Sequence, residues 1–246
     1  MTNIKKIKWA LSIVLFALIT LNCSNSEGTT PPNINNDGTK ILPLGDSRVE
    51  GARPEFESYR YELWKNIISS NKTANFIGPI SDEASYPQFM GKNFDFDHAG
   101  VGGFTTSDVL STLNTALSTG RPDIALLGIG GNDLLGGVTV GAAIQNINQI
   151  IDRLQSENGN ITIVLEQIAP GRSNIMNTTT TRLFNDFNEA IALVGPDKST
   201  STSQVIIVNM QPNWSDDYMA DDVHYNQAGA KIVADRYYAV LQSLLD

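Results

Sequence analysis

The chain reads as an α/β protein, a three-layer α/β/α domain built on a mostly parallel five-stranded sheet. Three observations predict this. Strand-like, largely apolar runs recur at 41–44, 74–77, 124–129, 161–165 and 205–208, each of strand length. Between them lie segments whose apolar residues repeat at helical spacing, as in Val140, Ile144, Ile147, Ile151 and Leu154. Strands that are apolar along their whole length must be covered on both faces, which is the environment of a parallel sheet between helical layers.

The first residues stand apart from that domain. Lys5, Lys6 and Lys8 precede a largely apolar, uncharged stretch from Trp9 to Leu21, long enough for the hydrophobic region of an export signal and short for a membrane span. Cys23 follows and is the only cysteine, so no disulfide can form within the chain. Together these features resemble a bacterial lipoprotein signal, with residues 1–22 removed and Cys23 lipidated. The segment Thr20-Leu21-Asn22 departs from that motif, which prefers a leucine three residues before the cysteine and a small residue just before it. The alternative is a signal that ends elsewhere, with Cys23 incidental. Residues 23–39 are polar and rich in Asn, Thr and Pro, the composition of a flexible tether. Residues 40–246 form the single domain.

Within it, the first strand carries Pro43, which lacks a ladder donor and is expected where that donor has no partner, near the strand's end. A helical stripe follows at Leu63, Trp64, Ile67 and Ile68, and another closes the chain at Val233, Tyr237, Val240, Leu241 and Leu244. A further helix is expected from about Ser107, after the glycine-rich segment 97–106. In open parallel sheets, sites gather at the carboxyl ends of strands. Polar clusters fall there: Gly45-Asp46-Ser47 after the first strand, Gly130-Gly131-Asn132-Asp133 after the third, and Asp221-Asp222-Val223-His224 beyond the last.

The last cluster carries chemistry. A carboxylate three residues before an imidazole, on a turn, can hold one ring nitrogen while the other faces a nucleophile. Ser47, just past a buried strand, is the candidate nucleophile. Helix capping is its structural alternative. His98, the other histidine, lacks the Asp-x-x pattern and precedes a glycine-rich turn, so it reads as structural. Asn226 reads as a helix cap, and Asp46 and Asp133 as braces for their loops. Arg48, beside the nucleophile, either pairs with Glu50, the favoured reading, or selects an acidic substrate.

Composition excludes several classes. The net charge of −9 disfavours nucleic acid or an anionic membrane surface as partner. Two histidines and one cysteine do not supply a usual zinc site. There is no Gly-x-Ser-x-Gly elbow, phosphate loop or dinucleotide-binding glycine pattern, so no metal or cofactor is expected.

Gly45-Asp46-Ser47, the glycine segment Gly100-Val101-Gly102-Gly103, Gly-x-Asn-Asp at 130–133 and Asp221-x-x-His224 resemble, in order and spacing, the four blocks of the SGNH (GDSL-like) hydrolase family. The resemblance covers about residues 40–246. It implies a flavodoxin-like fold and a serine esterase, with Ser47 as nucleophile, His224 as general base and Asp221 orienting His224. It also implies an oxyanion hole formed by the Ser47 N–H, the Gly103 N–H (Gly102 being the neighbouring candidate) and the Asn132 side-chain amide. Such an enzyme needs a neutral imidazole, so its activity should rise with pH through about 6–7. The wider stretch, including Tyr59-Arg60-Tyr61-Glu62-Leu63-Trp64, is similar to carbohydrate esterase family 3, which implies acetyl esters of polysaccharide as substrates. The alternatives are a lysophospholipase or general short-chain esterase and, from another class, a glycan-binding lipoprotein without catalysis. The localisation expected is an exported protein held to the membrane by its lipid anchor.

Overall fold

The structure, a computed structural model, describes residues 38–245. The expected signal segment, Cys23 and most of the expected tether lie outside the described residues. Strand β1 (Thr39–Gly45) begins one residue inside the span read as tether. After it come α1 (Ser47–Glu50), α2 (Arg60–Ser69), β2 (Ala74–Phe76), β3 (Ile80–Ser81) and β4 (Asp97–Gly100). Then follow α3 (Thr106–Ala116), β5 (Ile124–Gly128), α4 (Gly131–Leu135), α5 (Val140–Glu157) and β6 (Thr162–Gln167). The domain closes with α6 (Thr178–Lys198), β7 (Val205–Asn209) and α7 (Gln227–Leu241).

The fold class is as expected, with all five predicted strands present and two short ones added. The sheet runs β3-β4-β1-β5-β6-β7, with β2 also pairing β1. Only β3 is antiparallel to its neighbour, β4. Taking β2 and β4 as one position, the parallel strands follow the flavodoxin-like order, whose switch point lies between β1 and β5. Residues of each central strand alternate between two cores. Leu42, Leu44, Leu127 and Leu165 pack under α3, α5 and α6, while Ile41, Leu126 and Val164 pack under α2 and α7.

Pro43 sits mid-strand rather than near the end, and the topology explains why it is tolerated. On the side of β1 away from β5, pairing with β2 ends at Ile41 and pairing with β4 starts at Leu44. The Ile41 and Gly45 carbonyls accept from Ile77 and Val101 on that side. Pro43, in the same alternation, faces the gap between the two partners, where its missing donor leaves nothing unpaired.

The carboxyl ends of β1 and β5 meet through glycine. A Cβ on Gly45 would stand 2.0 Å from the Gly128 carbonyl oxygen, so only glycine lets the two backbones approach there. The turns that leave these strands therefore start side by side at the switch point.

Candidate active site

Ser47 opens α1, and Asp46 caps that helix by accepting from the Arg48 N–H at 2.9 Å. Asp46 is buried, and burial raises its pKa against the lowering influence of Arg48. On the far loop, Asp221 Oδ1 accepts from the backbone N–H of Val223 at 2.8 Å and of His224 at 2.7 Å. That turn brings Asp221 Oδ2 to 2.7 Å from His224 Nδ1. His224 Nε2 in turn lies 2.9 Å from Ser47 Oγ. Partial burial pushes the Asp221 pKa up, but the hydrogen bonds from His224 and the two backbone N–H groups outweigh it and leave the carboxyl below its ordinary range. A carboxylate that stays ionised can hold Nδ1–H, leaving Nε2 to accept the serine proton.

The glycine loop and the asparagine turn face the same serine. Gly102 N–H donates to Glu50 Oε2 at 2.6 Å, so it is occupied. No acceptor among the described residues takes the Gly103 N–H, and Gly103 adopts φ +79°, a conformation that favours glycine. The Ser47 N–H, first in its helix, has no intrahelical partner. Asn132 Nδ2 donates to the Phe104 carbonyl at 2.9 Å, which ties the amide to the glycine loop and leaves its second hydrogen free. Such preorganised donors can stabilise an oxyanion. Asp133 braces the assembly: it accepts from Thr106 N–H at 2.8 Å and from Thr106 Oγ1 at 2.6 Å. A pocket of about 20 Å³ beside Ser47 is lined by Asn132, Leu135, Gly171, Ile175, Phe184 and Val223, among others.

Arg48 corrects the sequence reading. It does not pair with Glu50, which is engaged with Gly102. Its Nε donates to the Val223 carbonyl and its Nη1 to the Ala169 carbonyl, both at 2.7 Å, and the guanidinium lies 4.9 Å from the Tyr225 ring centroid. It thus holds both neighbours of His224. His98 is structural: it is buried, its Nδ1 accepts from Gly100 N–H at 3.1 Å, and burial assisted by Arg60 pulls its pKa down to about 3. Asn226 caps α7, accepting from Ala228 and Gly229 N–H. Phe56, which nothing in the sequence pattern marks, stacks on His224 with centroids 3.8 Å apart and planes 12° apart. Only the fold brings that ring to the imidazole.

A profile of the GDSL-like lipase/acylhydrolase family matches residues 44–232. No curated protein matches the sequence. Among solved structures, an acetyl esterase mutant with an acetate ion is similar at TM-score 0.72 and 23% identity, covering 84% of this chain and 97% of that one. A carbohydrate esterase family 3 protein from Talaromyces cellulolyticus gives TM-score 0.72 and 24% identity over 84% of this chain and 97% of the other. The family 3 carbohydrate esterase of Clostridium thermocellum gives 0.67 and 25% over 85% and 99%. With three-quarters of its length accounted for by one family profile, this chain belongs to the GDSL-like lipase/acylhydrolase family and is a hydrolase of carboxylic esters.

Proposed function

We propose that the protein is a serine esterase that removes acetyl groups from carbohydrate through an acyl-enzyme intermediate. The observation that carries this reading is the continuous Ser47–His224–Asp221 hydrogen-bond chain at 2.9 and 2.7 Å. In the first step, His224 Nε2 takes the Ser47 proton as Oγ attacks the ester carbonyl. The oxyanion that forms is held by the N–H groups of Ser47 and Gly103 and by the Asn132 amide. The tetrahedral intermediate collapses, and the sugar alcohol leaves with the proton from His224. A water molecule, deprotonated by the same imidazole, then releases acetate and restores the serine. Asp221 keeps the ring in the tautomer this requires.

The size of the pocket beside Ser47, about 20 Å³, supports a short acyl group, since that is room for about one or two water-sized groups. Carbohydrate as the alcohol half is supported by the similar structures, which include family 3 carbohydrate esterases and an acetyl xylan esterase. Export with lipidation at Cys23 belongs to the same reading and rests on the Lys-rich, apolar N-terminus. Mass spectrometry of the protein from its host tests that part, and an uncleaved, unmodified N-terminus overturns it. For the catalytic reading, the test is hydrolysis of p-nitrophenyl acetate. Ser47→Ala is expected to lower kcat by roughly 10⁴-fold or more. Near-normal turnover in that variant overturns the assignment of the nucleophile, and a wild type that does not hydrolyse the ester leaves a binding protein.

A further inference from the structure

We infer that the cleft between the β6–α6 loop and the β7–α7 loop is a subsite for a neutral glycan, the part of the substrate that carries the acetyl group. This rests on the esterase reading and names where the sugar sits. The cleft encloses about 340 Å³, within the range of small-molecule sites. Gly171 and Phe184 line both this cleft and the small pocket beside Ser47. A sugar ring seated in the cleft is therefore one shared wall away from the nucleophile.

The lining suits a sugar rather than a hydrocarbon tail. Trp214 supplies an aromatic wall, held by edge contacts to Tyr218 and Tyr225 at 5.5 and 5.4 Å between centroids. A wall already fixed loses little freedom when a ligand binds. In the same lining, the Gln211 side-chain amide donates to Asn185 Oδ1 at 3.2 Å. That bond orients both groups and, among the described residues, leaves Asn185 Nδ2 with a free hydrogen-bonding position and the Gln211 side-chain oxygen Oε1 unused. Asp216 is held by Ser173, whose N–H and Oγ donate to it at 2.8 and 2.5 Å. It remains an anionic acceptor at the rim. Fixed donors and acceptors around an apolar plate match the alternating hydroxyls and C–H faces of a pyranose. An acyl tail gains nothing from the two amides, and a uronic acid would meet the Asp216 charge. Neutral glycan is the chemistry that uses the aromatic wall, the two amides and the rim carboxylate together.

The test compares kcat/KM on an acetylated xylo-oligosaccharide with kcat/KM on p-nitrophenyl acetate, in the wild type, Trp214→Ala and the Asn185→Ala/Gln211→Ala double variant. Each variant is expected to lower that ratio about tenfold, chiefly through KM on the oligosaccharide, as loss of the aromatic wall in one and of one or two hydrogen bonds in the other would. The double variant alters one exposed and one half-buried side chain and no fully buried one, so it keeps the proposal testable should Trp214→Ala fail to fold. A ratio unchanged in the double variant, with acetate still released from the oligosaccharide, overturns the subsite alone. Selective loss of p-nitrophenyl octanoate hydrolysis in the variants overturns it in favour of an acyl channel. A wild type that cleaves p-nitrophenyl acetate but releases no acetate from any glycan overturns the carbohydrate reading and the subsite together.

Discussion

Arg48 joins two parts of the site that are far apart in sequence. Its backbone N–H is taken by Asp46, its guanidinium by the carbonyls of Val223 and Ala169, and its flat face by Tyr225. A lysine offers a point charge on a flexible stem and cannot reproduce this fork. Misplacing a general base by about 1 Å can cost on the order of 10²-fold in rate. Arg48→Lys is therefore expected to lower kcat on p-nitrophenyl acetate by about tenfold, and Arg48→Met by more, with KM little changed. Steady-state kinetics beside a thermal melt checks this, and two variants with wild-type kcat would show that the loop holds itself. The partners of Arg48 explain why its part was not legible. Ser47, Asp221 and His224 stand in short local patterns that can be read off the chain. Arg48 takes its partners from 121 and 175 positions away, and sequence proximity pointed to Glu50 instead. Glu50 serves the glycine loop through Gly102. Phe56 was hidden for the same reason, because its contact with His224 is made only when the chain folds back.

Among the elements, legibility followed hydrophobic pattern. The five strands whose runs are largely apolar, and the stripes of α2, α5 and α7, could be read directly. β4 could not: Asp-His-Ala-Gly has no apolar run, and it is a strand because it pairs with β1 and because His98 finds a donor in Gly100. α6 opens with four threonines and buries Asn188 and Gly195 among its apolar residues, which blurs its stripe. Asn188 is there to serve β6, accepting from Ile168 N–H and donating to its carbonyl. The junction of α3 and α4 is the element contact on which the site most depends. Asp133, 1% exposed, receives the first N–H and hydroxyl of α3 through Thr106, and Asn146 of α5 donates to that hydroxyl at 3.0 Å. Asp133→Ala strands the buried donors of Thr106, at about 1–3 kcal/mol each. An overall loss of about 3 kcal/mol in urea denaturation is expected. A loss under about 1 kcal/mol would mean that water or a side-chain shift replaces the carboxylate.

For the molecule as a whole, the same burial that builds the site sets how stability depends on pH. Glu166, on β6, is 4% exposed and accepts from Tyr237 Oη at 2.9 Å. With Asp46 and Arg48 it borders a cavity of about 10 Å³. Burial raises its pKa to about 7, with Tyr237 and Arg48 offsetting part of the rise. Asp95 is likewise pushed up by burial, to about 6, and His98 is pulled down to about 3. For a carboxyl raised in the folded state, the unfolded chain binds fewer protons between the two pKa values. Its contribution is then whole at low pH and is lost as pH climbs to the folded value. Glu166 should thus withdraw stability from about pH 4.5 to 7, and Asp95 from about pH 4 to 6. His98 acts oppositely: the unfolded imidazole binds the proton first, so stability grows from about pH 3 to about 6.5. These slopes overlap, and only a variant separates them. Glu166→Gln keeps an acceptor for Tyr237 but cannot ionise. Its stability relative to wild type should shift in its favour by about 3 kcal/mol between pH 4.5 and 8, the equivalent of a rise of two to three pKa units. Urea unfolding of both proteins at pH 4.5, 6 and 8 reads that difference directly. Parallel curves would mean that Glu166 stays ionised throughout, with its charge met by Arg48 across the small cavity rather than removed by a proton.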